Sequence, residues 1–164
     1  MKTIYSILLL LVCSSFAGTI DYPVARLYAY KQKISSGANS TFDKKNKPVN
    51  KEYVYLAVKQ NRTIHINHVW VNGAAVNFKT EEVKSPVATE AGVSLTGKET
   101  TQVLVPETAH TVLQVLIDNA TIAEGKALPK RYKKYALLIQ YTEGSSVFFL
   151  GSQNWTTIAP KANQ

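Results

Sequence analysis

His65, His68 and His110 are the only side chains of this chain whose ordinary protonation range lies near neutral pH, which makes them the first candidates for metal binding or proton transfer. His65 and His68 have the spacing H-x-x-H, which on a helix would bring two imidazoles together. The residues around them, TIHINHVWV, alternate as a strand does. On a strand the two rings point to opposite faces unless a bulge realigns them, and no third ligand stands nearby. The single cysteine, Cys13, and the single methionine, Met1, both lie in the first thirteen residues. Once an export signal is removed, no thiolate or thioether remains for a metal site, a disulfide or a nucleophile. No Gly-x-Ser-x-Gly is present, Glu81 and Glu82 are neighbours in a polar stretch, and Asp21, Asp43 and Asp118 are scattered. Nucleophilic and paired-carboxylate chemistry therefore have no local pattern behind them, and the lone glycines form no phosphate cradle. No cofactor, metal or catalytic residue is expected.

The stronger pattern is a basic one. Residues 126–135, KALPKRYKKY, hold five basic side chains and two tyrosines in ten positions. Lys130, Arg131, Tyr132, Lys133 and Lys134 are the candidate partner-binding residues, with Trp155 as a separate candidate because it follows directly on a turn. In an extended chain Lys130 and Lys134 would share the face of Tyr132, with Arg131 and Lys133 on the other; a single basic platform needs a turn, which Pro129 could start. Lys44, Lys45, Lys47 and Lys51 make a second basic loop. The competing reading is a solvated loop whose lysines keep a sheet edge from pairing. Tyr28, Tyr30, Tyr53 and Tyr55 could form an aromatic platform with the tryptophans, although Trp70 has the setting of a core residue.

These residues need strands to position them. Residues 135–158 read as three strands in a meander, with Glu143-Gly144-Ser145 and Gly151-Ser152-Gln153-Asn154 as the turns. Earlier strands are read in VARLYAYKQKI, EYVYLAVK, TIHINHVWV, AAVNF, residues 83–88, residues 101–105 and TVLQVLI. Asn72-Gly73 is a hairpin signal, and the pattern around it changes phase, which a bulge near Asn67 would reconcile. One turn of helix is placed within residues 120–125. The core is expected to hold Leu56, Val58, Ile64, Leu113, Val115, Ile117, Leu137, Ile139 and Phe149. Tyr53 and Tyr55 lie opposite Val54, Leu56 and Val58, so one of those two faces must be covered by something other than the main core. The fold class is all-β, a single immunoglobulin-like or fibronectin-like antiparallel β-sandwich of about seven to nine strands, with a small closed barrel as the alternative.

The start of the chain has the three parts of an export signal: Lys2, an apolar run over residues 4–12, and Ser15-Phe16-Ala17 before Gly18. Domain boundaries are accordingly 1–17 for a cleaved signal peptide and 18–164 for one β-sandwich domain. The apolar run is too short to cross a bilayer and no second one follows, so no transmembrane segment is expected in the mature chain. Val12 before Cys13 disfavours lipid anchoring, which resembles a pattern with a small residue there. Asn39, Asn61, Asn119 and Asn154 open Asn-x-Ser/Thr sequons, read chiefly as turn residues. The formal charge of +8 becomes +7 once Lys2 leaves with the signal, and a cysteine-free exported chain of that charge fits a periplasmic or secreted module that meets anionic partners. The function read from this is a non-catalytic binding or assembly module. Its partner is a protein, an anionic glycan or the envelope surface; export makes nucleic acid the least favoured. A small secreted hydrolase-type enzyme or carbohydrate-binding module is the alternative.

Overall fold

A computed structural model of the chain describes residues 21–35, 49–93, 99–122 and 127–162. Residues 1–17, expected to be an export signal and including Cys13, lie outside the described residues, as do Asn39, Lys44, Lys45 and Lys47. The described chain is almost wholly strand: β1 (Val24–Ser35), β2 (Val49–Val58), β3 (His65–Val71), β4 (Ala74–Val83), β5 (Val87–Val93), β6 (Glu99–Val105), β7 (Thr111–Ile122), β8 (Leu137–Glu143), β9 (Ser146–Ser152) and β10 (Thr156–Ala162). A 3-10 turn at Lys130–Tyr132 is the one helical element among the described residues. Eight strands form a curled sheet in the order β10-β1-β2-β7-β4-β3-β8-β9, and β5 and β6 form a separate ribbon.

β2 explains the layering. Its alternation sends Val54, Leu56 and Val58 to the concave face, where they meet Val69, Val115, Leu137 and Ile139 in the main core. Tyr53 and Tyr55 go to the opposite face and are buried there with Leu104 and Val105 of β6, Val112 of β7 and Ile158 of β10. The ribbon is thus the cover that the tyrosine face of β2 requires. It also removes Tyr53 and Tyr55 from any exposed aromatic platform, since they are 8% and 3% exposed.

Asn72 and Gly73 take positive φ, 49° and 86°, and turn β3 into β4 with Val71 opposite Ala74. The register between β3 and β8 shifts between Ile66 and His68, so the expected bulge at Asn67 is present and Ile66, Val69 and Val71 all join the main core. Leu56, Val58, Val115, Leu137 and Ile139 are buried as expected, while Ile64, Leu113 and Ile117 are half-buried against the same cluster. Four expectations are corrected. Phe149 is outside the core: Phe148 and Leu150 take the inward positions of β9, so Phe149 points outward. The strand β7 continues through Ile122, which pairs with Val76, in place of a helical turn over residues 120–122; Asn119 accordingly lies within a strand and not in a turn. The meander stops at β9. After the hairpin that pairs β8 with β9, the chain leaves through residues 153–155 and β10 pairs with β1 at the far edge of the sheet. That pairing is parallel, so the arrangement is mixed and not wholly antiparallel. The curl makes the crossing short, because it brings β9 close to β1.

A charged staple closes one end of the curl. Arg62, in the β2–β3 connection, meets Glu143 through Nε–Oε1 at 2.5 Å and Nη2–Oε2 at 2.8 Å, and reaches Asp21 at 3.4 Å. Lys59 also bonds Asp21. The leader into β1 is thereby tied to the β2–β3 connection and to the β8–β9 turn.

Candidate functional site

Pro129 opens a run of backbone bonds three residues apart: Tyr132 N–H donates to the Pro129 carbonyl at 2.9 Å, Lys133 to Lys130 at 3.3 Å and Tyr135 to Tyr132 at 3.1 Å. A chain with this repeat has a period of three, so side chains at i and i+3 lie on one side. Tyr132 and Tyr135 share a side, with ring centroids 6.2 Å apart, and Lys130 and Lys133 share a second. The extended alternation, with Lys130 and Lys134 beside Tyr132, is corrected by this turn.

The tyrosine side faces the sheet. Tyr132 stacks on Phe149 with ring centroids 4.7 Å apart and planes at 25°. The Tyr135 ring lies over Gly151, where an added Cβ would come within 2.7 Å of Tyr135 Cδ1 and 2.9 Å of the Leu137 carbonyl oxygen. Phe149 and Gly151 are two apart on β9, so the strand's own alternation puts this floor on one face. Backbone bonds hold the turn's C-terminal end at Ala136: Asn72 N–H donates to the Ala136 carbonyl at 2.8 Å and Ala136 N–H to the Ser152 carbonyl at 2.9 Å. The basic turn is therefore docked on the outer face of β8 and β9 by side chains and by main chain.

What the turn presents is cationic. The Arg131 guanidinium lies 4.7 Å from the Tyr132 ring centroid and 6.0 Å from that of Phe149, and Lys134 Nζ lies 5.4 Å from the Tyr135 ring. Interactions of this kind fix a cation against an aromatic face without neutralising it. Lys130, Arg131, Lys133 and Lys134 are all exposed, and the ion pairs among the described residues, which join Lys31, Lys59 and Arg62 to acids, include none of them.

Trp155 does not belong to this surface. It is half-buried against the main core, on the opposite face of the sheet, with Lys31 Nζ 5.9 Å from its ring. Its buried Nε1 has no hydrogen-bond partner among the described residues. Trp70 is a core residue, 2% exposed. His65 is exposed on β3, and among the described residues no group of three or more His, Cys, Asp or Glu side chains could hold a metal ion.

Sequence reasoning misses two features. Phe149 and Gly151 make the floor under the turn, and the only trace of it in the sequence is Tyr-x-x-Tyr at 132 and 135 against Phe-x-Gly at 149 and 151. The second is Gln32, the one buried polar side chain among the described residues, with no exposed surface. Its Nε2 donates to the Glu90 carbonyl at 2.7 Å and the Ala159 carbonyl at 3.0 Å, and its Oε1 accepts from the Tyr53 hydroxyl at 2.9 Å. It joins β1, β2, β5 and β10. An open recess of about 480 Å³ lies beside it, lined by Ile34, Lys51, Tyr53, Ala88, Thr89 and Glu90. Its polar wall is already bonded internally, because the Tyr53 hydroxyl also stands 3.3 Å from Thr89 Oγ1.

No helix among the described residues is long and apolar enough to cross a membrane. No protein-family model matches the chain, and neither a curated protein nor a solved structure matches it.

Proposed function

We propose that the chain is an exported, non-catalytic binding or assembly module of a bacterial envelope or the secreted space, freed by cleavage after Ala17, and that it holds an anionic partner on the basic turn. The partner is a protein or an acidic glycan. The observation that carries this reading is the docking of Tyr132 and Tyr135 on Phe149 and Gly151, which leaves four cations outward on a held support. A loop kept only for solubility needs no such floor. Stacking of neutral sugars would need free ring faces, whereas Tyr132 is engaged by Phe149 and by the Arg131 guanidinium. An immunoglobulin-like or fibronectin-like sandwich is the finer fold reading that accompanies the proposal, since opposite walls of the curled sheet meet across the main core.

The test is capture of the mature protein's partner from an envelope extract, followed by affinity measurements on the variant with Arg131, Lys133 and Lys134 all changed to Gln. Exposed ion pairs contribute about 0.2–1 kcal/mol each, so removing three charges should weaken binding by about 3- to 150-fold. The melting temperature should fall by no more than a few degrees, because these side chains pair with no acid among the described residues and lose only the ring contacts of Arg131 and Lys134, about 0.5–1 kcal/mol each at exposed sites. Binding should also weaken as salt rises toward physiological strength. Unchanged affinity in the triple variant would refute the site.

A further inference from the structure

β10 is held unlike the interior strands of the main sheet. Among the described residues it pairs with β1 alone, in parallel, and only from Tyr30 onward. Past Gln32 and Ile158 the register slips, so that Ala159 and Pro160 stand against Lys33 alone, and Pro160 has no N–H to give. Across residues 156–160 Ile158 is the single buried side chain; Thr156, Thr157, Ala159 and Pro160 are exposed. The segment leading into the strand is also imperfectly satisfied: Gln153 and Asn154 are exposed, and Trp155 keeps a buried indole N–H with no acceptor among the described residues.

The slot that holds β10 is, by contrast, well built. One wall is the edge of β1 and another is β5, and Gln32 bonds to carbonyls on both β5 and β10. Its floor is the socket for Ile158 among Tyr53, Tyr55, Leu104, Val105 and Val112. Withdrawing β10 would bare a strand edge, a buried amide and an apolar socket together. The segment of this protein that fits all three is β10 itself.

We infer that β10 exchanges between copies of this chain, the β10 of one molecule lying parallel to β1 of another with Ile158 in that molecule's second core. Every bond that β10 makes at home is made again, unchanged, in the slot of the other molecule, so the balance is set by residues 153–155 and by protein concentration. Reciprocal exchange closes a dimer. Opening residues 153–155 also lets the Trp155 indole N–H reach water. This inference stands apart from the basic turn and does not depend on it.

Lys31 and Thr157 are register partners across β1 and β10, which makes them the reporters. In a Cys13→Ser background, one full chain carries Lys31→Cys and another Thr157→Cys, and the two are mixed under mild oxidation. The expected product is a disulfide between the two chains, formed at least about tenfold faster when the second chain also carries Ile158→Ala, since truncating a buried isoleucine weakens the strand's hold. A chain carrying both cysteines provides the control: closing its own disulfide locks β10 at home. A second measurement needs no cysteine pair in the exchanging molecules. Natural-abundance and 15N-labelled full chains are mixed and weighed intact, and dimers of mixed mass are expected from the free chain and not from the locked one. Absence of the interchain disulfide while the double variant closes its own, absence of mixed-mass dimers, or dimers that persist in the locked chain would overturn the inference.

Discussion

Gly151 has a requirement that only a missing side chain meets. Gly151→Ala should destabilise the fold by about 1–3 kcal/mol, the usual result of forcing a methyl into filled space, and should loosen the basic turn because the clash falls on Tyr135; denaturant unfolding measures the first effect and partner affinity the second. Gln32→Leu keeps the volume and removes the amide, so the Ala159 carbonyl loses its donor and the Tyr53 hydroxyl its buried acceptor. The expected loss is about 1–3 kcal/mol by the same denaturant measurement. Two phenols titrate late: Tyr55 and Tyr141 are pushed from the ordinary 10.0 up to about 12, chiefly by burial, and next by neighbouring Tyr53 and Tyr22 respectively. A group whose pKa is raised by folding favours the folded state while it stays protonated. That contribution is complete below pH 10 and is lost as the pH rises through about 12. Absorbance titration should therefore show a delayed phenolate step coinciding with loss of tertiary structure. At the acid end, Asp21 is held below the ordinary carboxylate range by its hydrogen bond and charge interaction with Lys59, so its contribution is present at neutral pH and disappears only as the pH falls below that range.

Among the elements, β8 is the most deeply set of the β8–β9 hairpin, and Ile139→Ala should cost about 2–5 kcal/mol in denaturant unfolding as a fully buried truncation. Phe149→Ala tests the docking of the turn without touching a charge: loss of the Tyr132 stack, an aromatic pair of about 0.5–1.5 kcal/mol, should weaken partner binding by freeing the turn. These two residues also mark what a sequence can and cannot show. Ile139 shares a face with Leu137 and Tyr141, and Gln140 and Thr142 mark the other face as polar although Leu138 also lies there, so period two assigns its face; the phase change around Asn67 is legible for the same reason, and the Asn72-Gly73 turn is legible because those two residue types tolerate the positive φ that the turn demands. Phe149 sits in Val147-Phe148-Phe149-Leu150, where both faces are apolar and alternation cannot choose. The inner face takes Phe148 and Leu150 because the core lies there, and Phe149 is left to a turn that is distant in sequence. The departure of β10 is illegible on other grounds. A tight turn after β9 is a sound local reading, but the partner of the next strand is decided by a curl that only the assembled sheet possesses.

In the assembled protein, the tyrosine face of β2 needs a cover, and the sequence shows the need without showing which segment meets it, because residues 80–100 carry little apolar pattern of their own. The ribbon of β5 and β6 works through a few buried side chains, Leu104 and Val105 foremost. Cleavage after Ala17 should leave a chain starting at Gly18, and the intact mass of the exported protein checks it; a lipidated Cys13 species would refute it. β2 itself is enclosed in every direction. Each side chain from residue 53 to residue 58 is buried, on both faces of the strand, and its main chain is bonded to β1 on one side and β7 on the other. No local fraying exposes that main chain without undoing both cores. In deuterated solvent the amide protons of residues 54–58 should be the last to be replaced, at a rate that reports the opening of the whole fold, while those of β10 are replaced early.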